Sequence, residues 1–246
     1  IYQSTDDYGT TYYYRGNVTN NFVEFAGYYW RVIRINGDNS IRLLYDLDIS
    51  KNENSKYIIG YSKFNTNRDD PTYVGYMYSN LINVSYDDTI RNDNGSDVKE
   101  VLDNWYKTNI VDKGFSSYVA DSGFCNDRSL YNGDGYSNAS YTYYNAFYRQ
   151  KNNTSSFKCQ NINNDLFTMI GNTIGNNKLT YPIGLPTVDE LVFSGSVYGS
   201  LNKMSYVYSS KNYWTMSPMY FVNSGISYVW YYDISGAIAN YNVANQ

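Results

Sequence analysis

Catalysis at neutral pH most often starts from a histidine, and this chain has none. That absence removes Ser/His/Asp and Cys/His nucleophilic catalysis, the commonest metal ligand and the usual pH switch together. A Ser-Lys variant would need a motif that the chain does not carry. Cys125 and Cys159 are the two thiols. They admit one disulfide, a reactive pair or two buried residues, and a zinc site without histidine would need four thiolates or carboxylate help. The extracellular cast of the composition favours the disulfide, which across about 34 residues would stabilise the fold by roughly 3–4 kcal/mol. Paired carboxylates are the remaining enzymatic option. Asp6-Asp7, Asp69-Asp70 and Asp87-Asp88 are adjacent, but adjacency does not hold two carboxyls ~5–9 Å apart across a sugar, and solvated loops account for them. Asn92-Asp93-Asn94-Gly95-Ser96-Asp97 and Asn132-Gly133-Asp134-Gly135 are oxygen-rich. Neither has EF-hand spacing, so the expectation is loop chemistry with no metal and no cofactor.

What remains is contact. The chain holds 32 tyrosines and 33 asparagines. Tyrosine offers a rigid ring with a polar tip, and asparagine offers adaptable donors and acceptors. AT-rich coding would inflate the same residues, with the same physical consequence. The aromatics concentrate at Tyr228-Val229-Trp230-Tyr231-Tyr232, with Trp214 and Tyr220 close in sequence. Strand alternation sets Tyr228, Trp230 and Tyr232 on one face and Val229 and Tyr231 on the other. One face must pack the core, and the exposed one suits sugar stacking or a protein partner. Trp214, Tyr220, Tyr228, Trp230 and Tyr232 are the candidate contact surface. Nineteen basic against 23 acidic residues leave a net charge of -4, with no basic cluster, which disfavours nucleic acid. No apolar run approaches the ~18–20 residues of a membrane helix.

The elements that must position these residues are short. A length of 246 residues suits one domain with a substantial core. The first ten residues are polar and open between a loose terminus and an exchanged strand. Strands are expected over Tyr12–Arg15, Phe22–Phe25 and Tyr28–Ile35. The clearest hairpin runs from Trp30–Ile35 through Asn36-Gly37-Asp38-Asn39 to Ser40–Tyr45, with Asn-Gly supplying positive φ. Residues 46–96 read as loop, with apolar pieces at Tyr57-Ile58-Ile59 and Tyr73–Met77. A helix follows, with Asp97 as N-cap, Glu100 at the capping-box position and Val98, Val101, Leu102, Trp105 and Tyr106 as its core stripe. A polar excursion from Gly114 to about residue 180 contains both cysteines, with a short apolar run at Leu166–Ile170. Thr187-Val188-Asp189-Glu190 is a second capping box, and Gly195 a C-cap. Strands at Tyr213–Met216, Ile226–Tyr232 and Ala237–Val243, with Pro218 and Gly236 at turns, complete an α+β domain of two helices on a mostly antiparallel sheet.

In order, these segments resemble a family of surface-exposed, pilin-linked domains of low-GC Gram-positive bacteria. The matching stretches are Tyr14-Arg15-Gly16-Asn17, Asn20–Val23 through Phe25-Ala26-Gly27, and Trp30–Asp38, which is the most specific. Later matches are Leu102–Tyr106, Phe124–Ser129, Tyr181–Leu185 and Tyr213–Pro218. The resemblance implies a C-type-lectin-like, formylglycine-enzyme-like fold and a cell-surface location. Formylglycine-generating enzymes use paired cysteines, but the stretches around Cys125 and Cys159 are unlike that site. Calcium lectins carry Glu-Pro-Asn or Trp-Asn-Asp, and neither occurs here. The family's Arg-Pro-containing closing strand and its anchor are likewise not seen. The resulting expectation is a secreted, non-enzymatic, tyrosine-rich adhesive or structural domain. A non-initiator Ile1, the polar terminal strand and the absent closing strand point to self-association in a pilus-like filament. The alternative is a monomeric module binding a glycan or host protein.

Overall fold

The computed structural model describes residues 1–50, 58–133, 141–222 and 225–245. Short alternating runs build its N-terminal part into one antiparallel sheet. β1 (Tyr2–Asp6) and β2 (Gly9–Tyr13) form a hairpin, β3 (Phe22–Phe25) and β4 (Tyr28–Ile35) form the next, and β5 (Ile41–Asp48) returns along β4. β4 is the hub. β5 occupies one of its sides, and β3 and β2 divide the other. The terminal segment is paired within the chain, since β1 matches β2 from Tyr2↔Tyr13 to Asp6↔Gly9. In the Asn36–Asn39 turn the positive φ falls at Asn39, at 68°, not at the Asn-Gly pair. Gly37 is needed for a different reason: a Cβ there would stand 2.3 Å from the Gly9 amide nitrogen. The two turns pack backbone to backbone, and only glycine fits.

The middle of the chain is more ordered than a loop. A 3-10 turn at Pro71–Val74, β6 (Met77–Tyr78), α1 (Tyr86–Thr89) and β7 (Asn94–Gly95) precede α2 (Asp97–Tyr106), which runs on as a π turn to Val111. β6 and β7 pair with each other. Ser96, not Asp97, is the N-cap, and its hydroxyl accepts from the Lys99 amide. Asp97 moves into the first turn with Glu100, where the helix dipole favours both carboxylates. Val98, Leu102 and Tyr106 are buried, and half-buried Trp105 packs against Tyr28, Trp30 and Tyr45. The apolar piece at Tyr57 begins outside the described residues.

β8 (Phe124–Cys125), β9 (Tyr141–Tyr143), α3 (Asn145–Asn152), α4 (Ile162–Asp165), β10 (Leu166–Phe167) and α5 (Val188–Phe193) follow. The last part is β11 (Tyr213–Val222), β12 (Ile226–Tyr232) and β13 (Ile238–Asn242). β8 pairs with β10, and a second antiparallel sheet has the order β13-β12-β11-β9. Pro218 lies inside β11, not at a turn. The register shifts on either side of it, and at such an irregularity a missing N–H breaks no regular ladder bond. Cys125 and Cys159 are joined as a disulfide with Cα atoms 5.6 Å apart, tying β8 to the segment before α4. Five helices among the described residues, in place of the two expected, leave the class α+β with mostly antiparallel sheets. One core cluster centres on Phe64, Tyr76, Leu102, Phe167 and Met216. A second centres on Ile33, Leu191, Met219, Trp230 and Ile238.

Candidate functional site

Strand register assembles an aromatic surface on the second sheet. Tyr143 of β9 stands opposite Tyr220 of β11, which stands opposite Tyr228 of β12. Directly opposed side chains share a face, so the three rings form one row, with centroids 5.5 and 4.5 Å apart. Tyr141, two residues along β9 from Tyr143, adds a ring 5.8 Å from both Tyr143 and Tyr220. Thr142 between them points into the core. α3 begins directly after β9 and lays Phe147 against Tyr143 at 4.3 Å. Tyr131 then bridges Phe147 and Tyr148, at 6.4 and 5.0 Å. The chain of contacts runs from Tyr148 to Tyr228 without a break. Tyr131, Tyr141 and Tyr148 are 44, 44 and 40% exposed. Burial, reinforced by Tyr228 and the neighbouring hydroxyls, pushes the Tyr220 phenol up to about 12. It therefore stays protonated and offers both a donor and an acceptor. The surface is apolar with polar tips, suited to contact with another surface.

The five contact residues read from the sequence divide three ways. Tyr220 and Tyr228 lie in this row. Trp230 and Tyr232 are a correction: both are 0% exposed and belong to the core. Alternation assigns them the same face as Tyr228, but that face is open only at one end. The Tyr198 ring meets Trp230 edge-on at 5.0 Å. Ser196 donates to the Tyr232 hydroxyl at 3.0 Å, and that hydroxyl reaches the Asn202 carbonyl at 3.4 Å. Trp214 sits on the opposite face beside Tyr231 and Tyr241, its indole N–H donating to the Ser62 carbonyl at 2.9 Å. Tyr131, Tyr141, Tyr143 and Tyr148 were hidden in the stretch read as a polar excursion. The alternation Tyr141-Thr142-Tyr143 was the signal available for them.

Trp214 faces a second feature, an apolar groove of about 1270 Å³ between β5 and the segments around residues 59, 185, 207 and 231. Leu43, Tyr45, Ile59, Leu185, Trp214 and Tyr241 are among its lining residues. Arg31 and Arg42 also reach it, but each already holds a carboxylate, Asp46 at 3.2 Å and Glu190 at 3.3 Å.

The charged residues are largely committed to structure. Arg34 bridges Asp6 at 2.7 Å and Glu190 at 3.2 Å. Arg128 holds Asp165 at 2.7 Å, and Arg149 holds Asp127 and Asp189 at 2.6 and 2.7 Å. Asp6 and Asp70, expected in solvated loops, are buried. Asp70 caps the 3-10 turn by accepting from Thr72, and Asp7 accepts from the Cys159 amide. In the loop from Asn92 to Asp97, Asn92 accepts from Arg128 at 2.7 Å and donates to the Asn164 carbonyl at 2.8 Å. The second oxygen-rich loop falls partly outside the described residues. With both cysteines in the disulfide, neither offers a thiolate. Comparison of the chain with protein-family models, with curated proteins and with solved structures finds no match.

Proposed function

We propose that this chain is a non-enzymatic adhesive domain of the cell surface, C-type-lectin-like in architecture, that holds a glycan or host protein on its tyrosine face. The observation that carries the reading is the unbroken run of rings from Tyr148 to Tyr228, exposed at its β9 and α3 end. Tyrosine gives large contact area for little lost side-chain entropy, which is why binding surfaces concentrate it. The disulfide supports an oxidising, extracytoplasmic setting. The filament reading draws on a terminal strand free to exchange as well as on the non-initiator Ile1 and the absent closing strand. Here β1 is engaged by β2 over all five residues, and Asp6 is locked to Arg34, so a side-chain face is the better supported contact.

A glycan array and a panel of immobilised host matrix proteins, read with the wild type and with Tyr141→Ala/Tyr148→Ala, test this. Both rings are exposed, so the double variant should melt within a few degrees of the wild type. Binding should fall on the order of tenfold or more, since contact aromatics carry about 1–2 kcal/mol each or better. Binding that survives loss of both rings sinks the proposal. So does electron microscopy of native material showing filaments whose subunit contacts lie away from this face.

A further inference from the structure

The groove beside β5 is bordered by backbone as well as by side chains. Ser40 to Tyr45 line it in unbroken sequence. A cavity over one face of a strand meets every second residue, whereas a cavity along its edge meets all of them. Among the described residues β5 pairs only with β4, and no described strand covers its other edge. The phase of that edge follows from β4. Val32 donates its N–H to the Asn21 carbonyl at 2.6 Å, and its own carbonyl accepts from the Asn21 side chain at 2.9 Å. Both groups thus point to the β3 side. The β5 residue opposite Val32 is Leu43, whose N–H and C=O must then face away from β4. Tyr45, opposite Trp30 and two residues on, is in the same phase. No described residue outside β4 is bonded to the backbone of either.

We propose that this edge takes an extended segment of another polypeptide as an added strand. Alternating N–H and C=O groups along an open edge match the backbone of a strand, which a lipid tail or a sugar cannot reproduce. The apolar wall formed by Ile59, Leu185, Trp214 and Tyr241 would receive alternate side chains of the incoming segment. The two arginines in the groove are already neutralised by Asp46 and Glu190, so they call for no acidic side chain on the segment, and Glu24 and Lys211 are the other charged residues of the lining. β5 has eight residues and spans about 27 Å, enough to pair with a segment of similar length. This site is separate from the tyrosine face and does not depend on it.

Selection of a phage-displayed decapeptide library on the intact chain tests the assignment. The selected sequences should alternate apolar residues and lack central proline. Leu43→Pro removes the outward N–H while leaving the bonds to β4, and should weaken a selected peptide on the order of tenfold. N-methylation of alternate nitrogens in that peptide should weaken it similarly without touching the protein, which keeps the test valid if Leu43→Pro is unstable. Equal binding by the N-methylated peptide overturns the proposal. So does failure to select any sequence while decanoate fills the groove. A concentration-dependent dimer that Leu43→Pro abolishes also overturns it, because the occupant would then be a second copy.

Discussion

Arg149 serves two carboxylates, and it serves them unequally. Asp189 takes its Nε and Nη2 at 3.0 and 2.7 Å and also accepts from the Ser156 amide. Asp127 has the ionic contact with Nη1, but neither of its oxygens has a directed hydrogen bond. Burial therefore outweighs the attraction of Arg149 and pushes the Asp127 carboxyl up to about 6. A raised carboxyl favours its neutral form in the folded state. Its contribution to stability is full below the unfolded value near ~4 and is lost as pH rises through about 6. Asp127→Asn fixes the neutral form and suits the left-handed backbone at this position, where φ is 48°. Urea unfolding from pH 4 to 7 should show the wild type losing stability relative to this variant by about 2 kcal/mol, with no further change above pH 7. With no histidine in the chain, the window is clear of imidazole. Asp7 and Asp70, also raised by burial, are common to both proteins and cancel. A difference that does not vary with pH would refute the assignment.

At the scale of elements, α5 shows what local sequence can and cannot specify. Six residues are too few to hold a helix by propensity. The Thr187 hydroxyl accepts from the Glu190 amide at 3.1 Å, and the Glu190 carboxylate accepts from the Thr187 amide at 2.8 Å. Thr187→Ala should cost about 1 kcal/mol, a fall of roughly 2–4 °C in melting temperature, and Thr187→Ser should restore most of it. Alanine and serine variants that melt together would remove the cap from the account. This box, β3 and β4 were legible because each is set by neighbours a few residues away. The Asn-Gly turn was legible as a turn but not in its cause, because Gly37 answers to a strand 28 residues earlier. Pro218 was misplaced because a register shift belongs to a strand pair and not to one strand. The contact surface was half legible. Alternation gives the faces of β12, but what lies over Trp230 and Tyr232 comes from Tyr198, Ser196 and Asn202, and no periodicity connects them.

Across the whole molecule, buried ion pairs join the N-terminal sheet to the helical layer. Arg34 reaches from β4 to Asp6 in β1 and to Glu190 in α5, and Arg42 of β5 meets the same Glu190. Burial alone would raise the Glu190 carboxyl, but Arg42 and Arg34 overcome it and the net direction is down. A lowered carboxyl contributes stability above its unfolded value near ~4.3 and loses it as pH falls through the folded value. Arg34→Leu would leave Asp6 without its guanidinium and Glu190 with Arg42 alone. The expected loss is about 3–5 kcal/mol at pH 7, because removing one partner strands buried charge. That loss should shrink as pH falls through the lowered Glu190 value, because a protonated Glu190 no longer needs the guanidinium. Adding Asp6→Asn to Arg34→Leu should recover part of it at neutral pH, since one stranded charge is then gone. The junction fastens the β1–β2 hairpin alongside the β2–β4 pairing and the Asp7 contact to Cys159, so the hairpin amides should exchange with solvent faster in Arg34→Leu, while those of β11 and β12 keep their protection. Uniform acceleration across both sheets would instead mean that Arg34 supports the fold as a whole and does not specifically fasten the terminal hairpin.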